Sequence, residues 1–114
     1  MQPDNKSTLL KANATISQND HEGFLRHCTE DTTWIFVGDI TLRGKEAVRQ
    51  WMKENYIEPP VFDVEKLIGG EDHVVAMGTI TIKDKDGKAT TSSYCDVWHF
   101  ENGLMAELRA YIAP

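Results

Sequence analysis

One predicted strand carries a carboxyl group between two aromatic residues, an arrangement that could carry out acid–base chemistry. Tyr94, Asp96 and Trp98 alternate along the chain, and alternate residues of a strand point to the same face of a sheet. A carboxyl group between aromatic rings loses contact with water, which raises its pKa. Neutral Asp96 could donate a hydrogen bond to a ligand oxygen, and its carboxylate could remove a proton from carbon. Asp96 is therefore the candidate catalytic residue. A purely structural role, bonded to a backbone amide or to Arg109, stays open.

The cysteines and histidines do not form a recognisable site along the chain. Cys28 and Cys95 stand outside any Cys-x-x-Cys motif, and no two of the 4 histidines have the spacing that metal sites favour. We therefore predict no metal ion, and two reduced cysteines that serve as packing residues.

The charge balance excludes several classes of partner. The 114 residues include 12 Lys and Arg against 18 Asp and Glu, a formal net charge of −6. Nucleic acids and anionic membranes require a basic face. The longest apolar runs, such as residues 34–37, are far shorter than the roughly 20 residues of a membrane helix. We expect one cytoplasmic domain over residues 1–114, with no nucleic-acid or membrane partner.

The first half of the chain carries mostly helical signals. Ser7 is placed to cap a helix over residues 8–18, and Asp20 to cap a short second helix. The segment 32–37 is rich in aromatic and β-branched residues, which predicts a strand. A third amphipathic helix is predicted after Gly44.

The second half changes to the two-residue period of strands. Asp86-Gly87 and Asn102-Gly103 are hairpin signals, because both central residues of that turn take positive φ. We predict an α+β fold in which three helices cover one face of a strongly curved antiparallel sheet. The two layers would enclose a cone with an apolar interior.

Four segments in this order resemble the ketosteroid isomerase-like, nuclear transport factor 2-like superfamily, and within it the SnoaL-like (polyketide cyclase-like) branch. They are residues 19–24, 29–34, 42–48 and 94–104. The resemblance covers nearly the whole chain. It implies the cone fold, which hosts enzymes and non-catalytic binders alike.

The resemblance also implies that the interior of the cone is the ligand site. It places Asp96 where the isomerases hold a carboxylic acid that stays protonated and donates to an oxyanion. His27 and Tyr56 are possible assistants from the helical segments. The expected wall of the pocket consists of Trp34, Phe36, Trp51, Tyr56, Met77, Thr79, Thr81, Tyr94, Trp98, Ala110 and Ile112.

Other catalytic positions of the family are replaced. Phe36 falls where the isomerases keep their general base, and Ala12 where they keep an oxyanion tyrosine. Asp96 would have to act alone. Two interpretations stay open. One is a cofactor-independent isomerase, cyclase or dehydratase that takes a small apolar molecule with a carbonyl or hydroxyl. The other is a non-catalytic ligand-binding or dimeric interaction module.

The pairing of the last two strands has two possible registers. A two-residue turn at Asn102-Gly103 places Asp96 opposite Arg109. A bulge at Gly103, which the family pattern favours, places it opposite Leu108 and turns Arg109 away from the pocket. The face opposite the pocket is expected to form a homodimer through Cys95, Val97, His99, Arg109 and Tyr111.

Overall fold

The computed structural model describes residues 4–113, which form three α-helices and six β-strands. In chain order they are α1 (Asn5–Ser17), α2 (His21–Leu25), β1 (Cys28–Phe36), β2 (Thr41–Arg43), α3 (Lys45–Asn55), β3 (Val61–Gly69), β4 (His73–Lys83), β5 (Ala89–Glu101) and β6 (Leu104–Ala113).

All six strands belong to one curved, unclosed sheet in the order β2-β1-β6-β5-β4-β3. Strands β3 to β6 form an antiparallel meander, whereas β1 runs parallel to β6. Helix α3 carries the chain from β2 at one edge to β3 at the other, so it crosses one face of the sheet. The predicted α+β cone is confirmed. Within residues 4–113 no helix combines the length and apolar character needed to cross a bilayer.

Aspartates cap the first two helices. The Asp4 carboxylate accepts a hydrogen bond from the Lys6 amide at 3.1 Å, so α1 begins before the predicted cap, Ser7. Asp20 caps α2 as predicted, accepting from the Gly23 amide at 2.9 Å. Helix α2 ends at Leu25, and the chain enters β1 directly, earlier than the predicted strand at residue 32.

The two hairpin turns differ. Asn102 and Gly103 both have positive φ (52° and 80°), as predicted. In the β4–β5 loop only Gly87 does, because Asp84 accepts hydrogen bonds from the amides of Asp86 and Lys88, both at 2.9 Å, and holds a longer loop. The prediction of positive φ at Asp86 is therefore wrong.

This longer loop decides which side chains of β4 face inward. A two-residue turn would place Met77 opposite Asp96, but the observed loop places Ala76 there. Directly opposed residues of antiparallel strands share a face. The expectation that Met77, Thr79 and Thr81 face the interior is therefore wrong, since a one-residue shift exchanges the two faces of a strand.

The register of β5 against β6 also differs from both alternatives. Glu101 lies opposite Leu104, but an extra residue in β6 shifts the pairing, so Asp96 lies opposite Ala110 rather than Leu108 or Arg109. The bulge falls next to Met105, whose amide donates to the His27 carbonyl at 2.8 Å. This bond and the burial of Met105 hold the start of β6.

We call the face that carries Tyr94, Asp96 and Trp98 the inner face and the opposite one the outer face. The apolar stripes of α1, α2 and α3 pack against the inner face and form the core with it. Arg109 lies opposite Val97 and ion-pairs with Glu107 at 3.5 Å on the outer face, pointing away from the interior as the resemblance implied.

Candidate functional site

A small cavity lies between the helices and the inner face, with a volume of about 40 Å³. We call it the Asp96 cavity. Its walls come from α1, α2, the start of the loop after α3, and five strands. The lining residues are Asn13, Ile16, Phe24, Trp34, Phe36, Tyr56, Phe62, Ile80, Tyr94, Asp96, Trp98, Leu108, Ala110 and Ile112.

Asp96 occupies the inner face at a point where its neighbours are small. Its cross-strand partners are Ala76 on β4 and Ala110 on β6, so the carboxyl group stands between two methyl side chains. Among residues 4–113 no basic side chain forms an ion pair with it. Burial raises the pKa of Asp96 from 3.8 to about 7. The carboxyl group therefore keeps its proton to a much higher pH than an exposed aspartate does.

Two further polar atoms of the cavity wall are buried without a hydrogen-bond partner in the described part of the chain. They are Tyr94 Oη and Trp34 Nε1. Burial, and then the nearby charge of Asp96, raises the pKa of Tyr94 to about 12, so its hydroxyl keeps its proton. Leaving a buried polar group unpaired costs about 1–3 kcal/mol. Two residues of the cavity wall therefore carry buried hydrogen-bond donors that have no partner among residues 4–113.

Aromatic rings fill much of the space around these groups. The Trp34 ring centroid lies 5.8 Å from Phe24, 6.2 Å from Phe36, 5.8 Å from Trp51 and 6.1 Å from Trp98. Such edge-to-face contacts add stability beyond the burial of area. They also explain the small volume, since ordinary small-molecule sites measure roughly 300–1,000 Å³.

Most of the predicted pocket residues do meet at this cavity. Trp51 stands behind the lining, in contact with Phe36 at a ring distance of 4.9 Å. His27 is not part of the lining, whereas Tyr56 is. The predicted residues that line the cavity are Trp34, Phe36, Tyr56, Tyr94, Asp96, Trp98, Ala110 and Ile112.

Six lining residues were not predicted. Asn13 was recognisable, because it lies three residues before Ile16 and four after Leu9 and so shares their buried helix face. Ile80 depends on the β4 register, which the loop decided. The six are Asn13, Ile16, Phe24, Phe62, Ile80 and Leu108.

Solved structures with the same fold are numerous, and their sequences are distant. An NTF2-like protein of unknown function from Burkholderia pseudomallei is 19% identical, with a TM-score of 0.83 over 96% of this chain and 90% of that one. SalBIII, an epoxide hydrolase/cyclase-like enzyme in pyran ring formation in the polyether salinomycin, is 16% identical, with a TM-score of 0.87 and coverages of 96% and 90%.

A third structure contains a small molecule. TerC, co-crystallised with polyporic acid, is 18% identical, with a TM-score of 0.78 over 93% of this chain and 88% of that one. A search of curated protein sequences gives no significant match. The family model of the SnoaL-like domain matches residues 10–108. The chain therefore belongs to the SnoaL-like domain family.

Proposed function

We propose that this protein binds a small apolar molecule carrying a carbonyl or hydroxyl group and transfers a proton within it through Asp96. It would act as a cytoplasmic, cofactor-independent isomerase, cyclase or dehydratase. The observation that carries the proposal is a carboxyl group, without a cation partner among residues 4–113, on the wall of an apolar cavity. A general acid or base works best when its pKa lies near the working pH, and a pKa of about 7 meets that condition.

An isomerisation illustrates the chemistry. The ligand is a carbonyl compound with a C=C bond one carbon further along, and the Asp96 carboxylate removes a proton from the carbon between the two groups. The electrons of that C–H bond form the C=C bond of a dienolate, and the negative charge moves to the carbonyl oxygen. Neutral Asp96 then returns the proton to the far carbon of the original C=C bond, which leaves a double bond conjugated with the carbonyl, so nothing is oxidised or reduced. Tyr94 Oη and Trp34 Nε1, which have no hydrogen-bond partner among residues 4–113, are available to donate hydrogen bonds to the dienolate oxygen.

The relatives support the class of ligand. SalBIII is described as a cyclase-like enzyme in pyran ring formation, and TerC was crystallised with polyporic acid. Both share the fold with this chain, and both are associated with oxygen-bearing organic molecules. Phe36 falls where the isomerases have their general base, and a phenyl ring cannot accept a proton. Asp96 would therefore carry out the proton transfer alone.

The test joins binding to proton exchange. Carbonyl-bearing fragments are screened by the shift that they cause in thermal unfolding, since a ligand of the folded state raises its stability. Fragments that bind are then incubated in D₂O, and deuterium at the carbon next to the carbonyl is followed by NMR. We expect Asp96→Asn to slow deuterium incorporation by about 100-fold or more.

Asp39→Asn is the matched control, because Asp39 is exposed in the turn after β1. It is expected to leave both binding and exchange unchanged. Equal exchange rates in the wild type and in Asp96→Asn would overturn the catalytic proposal.

A non-catalytic binding protein is the second candidate, and the volume of about 40 Å³ favours it. A cavity of that size holds water or a very small group without rearrangement of the aromatic rings. This alternative predicts fragments that stabilise the fold without any deuterium incorporation.

We also propose a homodimer through the outer face. The predicted contact residues Cys95, Val97 and Tyr111 lie there by register, and Tyr111 is 45% exposed. Sedimentation at about tens of micromolar is expected to give twice the chain mass of 12.9 kDa. Val97→Glu should give the monomer, because the new charge would be buried in the interface.

Lys85→Gln is the control for the dimer, since it makes the net charge more negative by the same amount in the exposed β4–β5 loop. A monomer alone in the wild-type protein would contradict the proposal.

A further inference from the structure

Two histidines and an aspartate meet outside the Asp96 cavity. His73 Nδ1 lies 2.8 Å from Asp72 Oδ1, and His99 Nδ1 lies 3.8 Å from Asp72 Oδ2. The two imidazole rings are 4.7 Å apart between centroids. One potential ligand atom from each of the three residues lies within 4.8 Å of the others.

Backbone hydrogen bonds position this group, which we call the Asp72 cluster. His73 begins β4 and lies directly opposite His99 on β5. The Phe100 amide donates to the Asp72 carbonyl at 2.7 Å, and the Gly70 amide donates to the His73 carbonyl at 2.8 Å. The two strands and the turn before β4 therefore hold all three side chains in place.

We propose that the Asp72 cluster binds a zinc ion through one carboxylate oxygen and two imidazole nitrogens, with water as the fourth ligand. Zinc bonds of roughly 2.0–2.1 Å in a tetrahedron separate neighbouring ligand atoms by about 3.3 Å. His73 Nδ1 lies 2.8 Å from Oδ1 of Asp72, and His99 Nδ1 lies 3.8 Å from its Oδ2. One ligand atom from each residue lies within 4.8 Å of the others, so rotations of the carboxylate and the two rings would be needed to bring one oxygen and both nitrogens to tetrahedral spacing.

An unpaired ring nitrogen of His99 supports the proposed metal site. Its Nδ1 atom is buried and has no hydrogen-bond partner within residues 4–113, because Asp72 is too distant to accept from it. A metal ion between the two would pair with that nitrogen. Two nitrogen donors favour zinc and its transition-metal neighbours over calcium and magnesium, which prefer oxygen.

The charges beside the cluster compensate each other. Glu107 lies opposite His99 on β6 and shares the outer face with it. Arg109 faces the same surface and ion-pairs with Glu107 at 3.5 Å. The Asp72 cluster itself contains one carboxylate and no Lys or Arg, so no cation of its own opposes a metal ion.

The proposed zinc site is independent of the proton transfer. His99 points to the outer face, while Trp98 and Phe100 on either side of it are buried on the inner face. The ion would join the turn before β4 to β5 as a structural link. The chain's histidine spacing predicts no metal site, because His73 and His99 lie on different strands and only the β4–β5 register brings them together.

The test uses the full chain after removal of metals with EDTA. Zinc binding is measured by calorimetry, and cobalt binding by the visible absorption that a tetrahedral Co²⁺ ion gives. We expect one ion per chain. His99→Gln and Asp72→Asn should each weaken zinc binding by at least about tenfold. Even residues that only hydrogen-bond to a metal ligand typically cost about tenfold or more when they are replaced, and these two would bind the ion directly.

His27→Gln is the matched control, because His27 lies apart from the cluster. It should bind zinc as the wild type does, and circular dichroism should show that every variant is folded. No zinc uptake, equal affinity in His99→Gln, or one ion per two chains would overturn the site. These readouts do not depend on Asp96, so they are distinguishable from the test of the proposed function.

Discussion

Asp96→Asn is expected to raise the free energy of unfolding at pH values above 7 by up to about 4 kcal/mol, the limit for a fully buried carboxyl group, since Asp96 itself is half-buried. The folded protein holds this carboxyl group with a pKa of about 7, against an ordinary value of 3.8. Each unit of difference corresponds to about 1.4 kcal/mol. Asparagine has nearly the same shape and no charge, so the variant avoids the cost of burying a carboxylate.

The direction follows from proton linkage. Below pH 3.8 Asp96 is protonated in both the folded and the unfolded state, so it does not lower the free energy of unfolding. Between about pH 4 and 7 the unfolded chain releases the proton while the folded chain keeps it, so the wild type loses stability as the pH rises. Above the folded pKa both states are ionised and the loss is constant. The advantage of Asp96→Asn should therefore grow from near zero at about pH 4 to its full value above pH 7.

Urea unfolding of both proteins across this range measures the difference. Asp39→Asn, on the exposed turn after β1, should show no comparable trend with pH. If the difference in the free energy of unfolding between Asp96→Asn and the wild type did not change with pH, the pKa of Asp96 would not be raised in the folded protein. A partner that stabilises the carboxylate would then be the explanation.

Phe24→Ala is expected to lower the free energy of unfolding by about 3–5 kcal/mol, the range for deletion of a buried aromatic ring. Phe24 is 1% exposed, and its ring packs against Trp34 at 5.8 Å and Trp98 at 6.1 Å. It lies on α2, which has only five residues and so depends on this packing. The loss would be a large part of the roughly 5–15 kcal/mol of a typical domain.

Phe62→Ala makes the same chemical change where the ring is half-buried. Phe62 also lines the Asp96 cavity, but its aromatic contact is with Tyr94, at 6.0 Å. Its substitution should cost clearly less in the same urea experiment. Equal losses in the two variants would contradict the expectation that the deeper burial of the Phe24 ring makes its deletion more costly.

The sequence by itself determined the three helices, five of the six strands and their order, whereas the three-residue strand β2 (Thr41–Arg43) was not predicted. Asp20 and Gly44 mark the starts of two helices, because aspartate and glycine are both favoured at the N-cap position. Asn102-Gly103 specifies its turn, since few other residues take positive φ. The alternation of Tyr94, Asp96 and Trp98 placed them on one face. Helix caps, turn residues and strand alternation each depend on a few neighbouring residues, so they can be predicted from short stretches of sequence.

Only the tertiary structure decided which residues meet. The Asp84 hydrogen bonds lengthen the β4–β5 loop, place Ala76 rather than Met77 opposite Asp96, and bring His73 opposite His99. The packing of the aromatic rings set the volume of the Asp96 cavity. Register depends on single loop and bulge residues, and a shift of one residue exchanges the faces of a whole strand. For that reason Asp96 was predictable, whereas half of its surroundings and the Asp72 cluster were not.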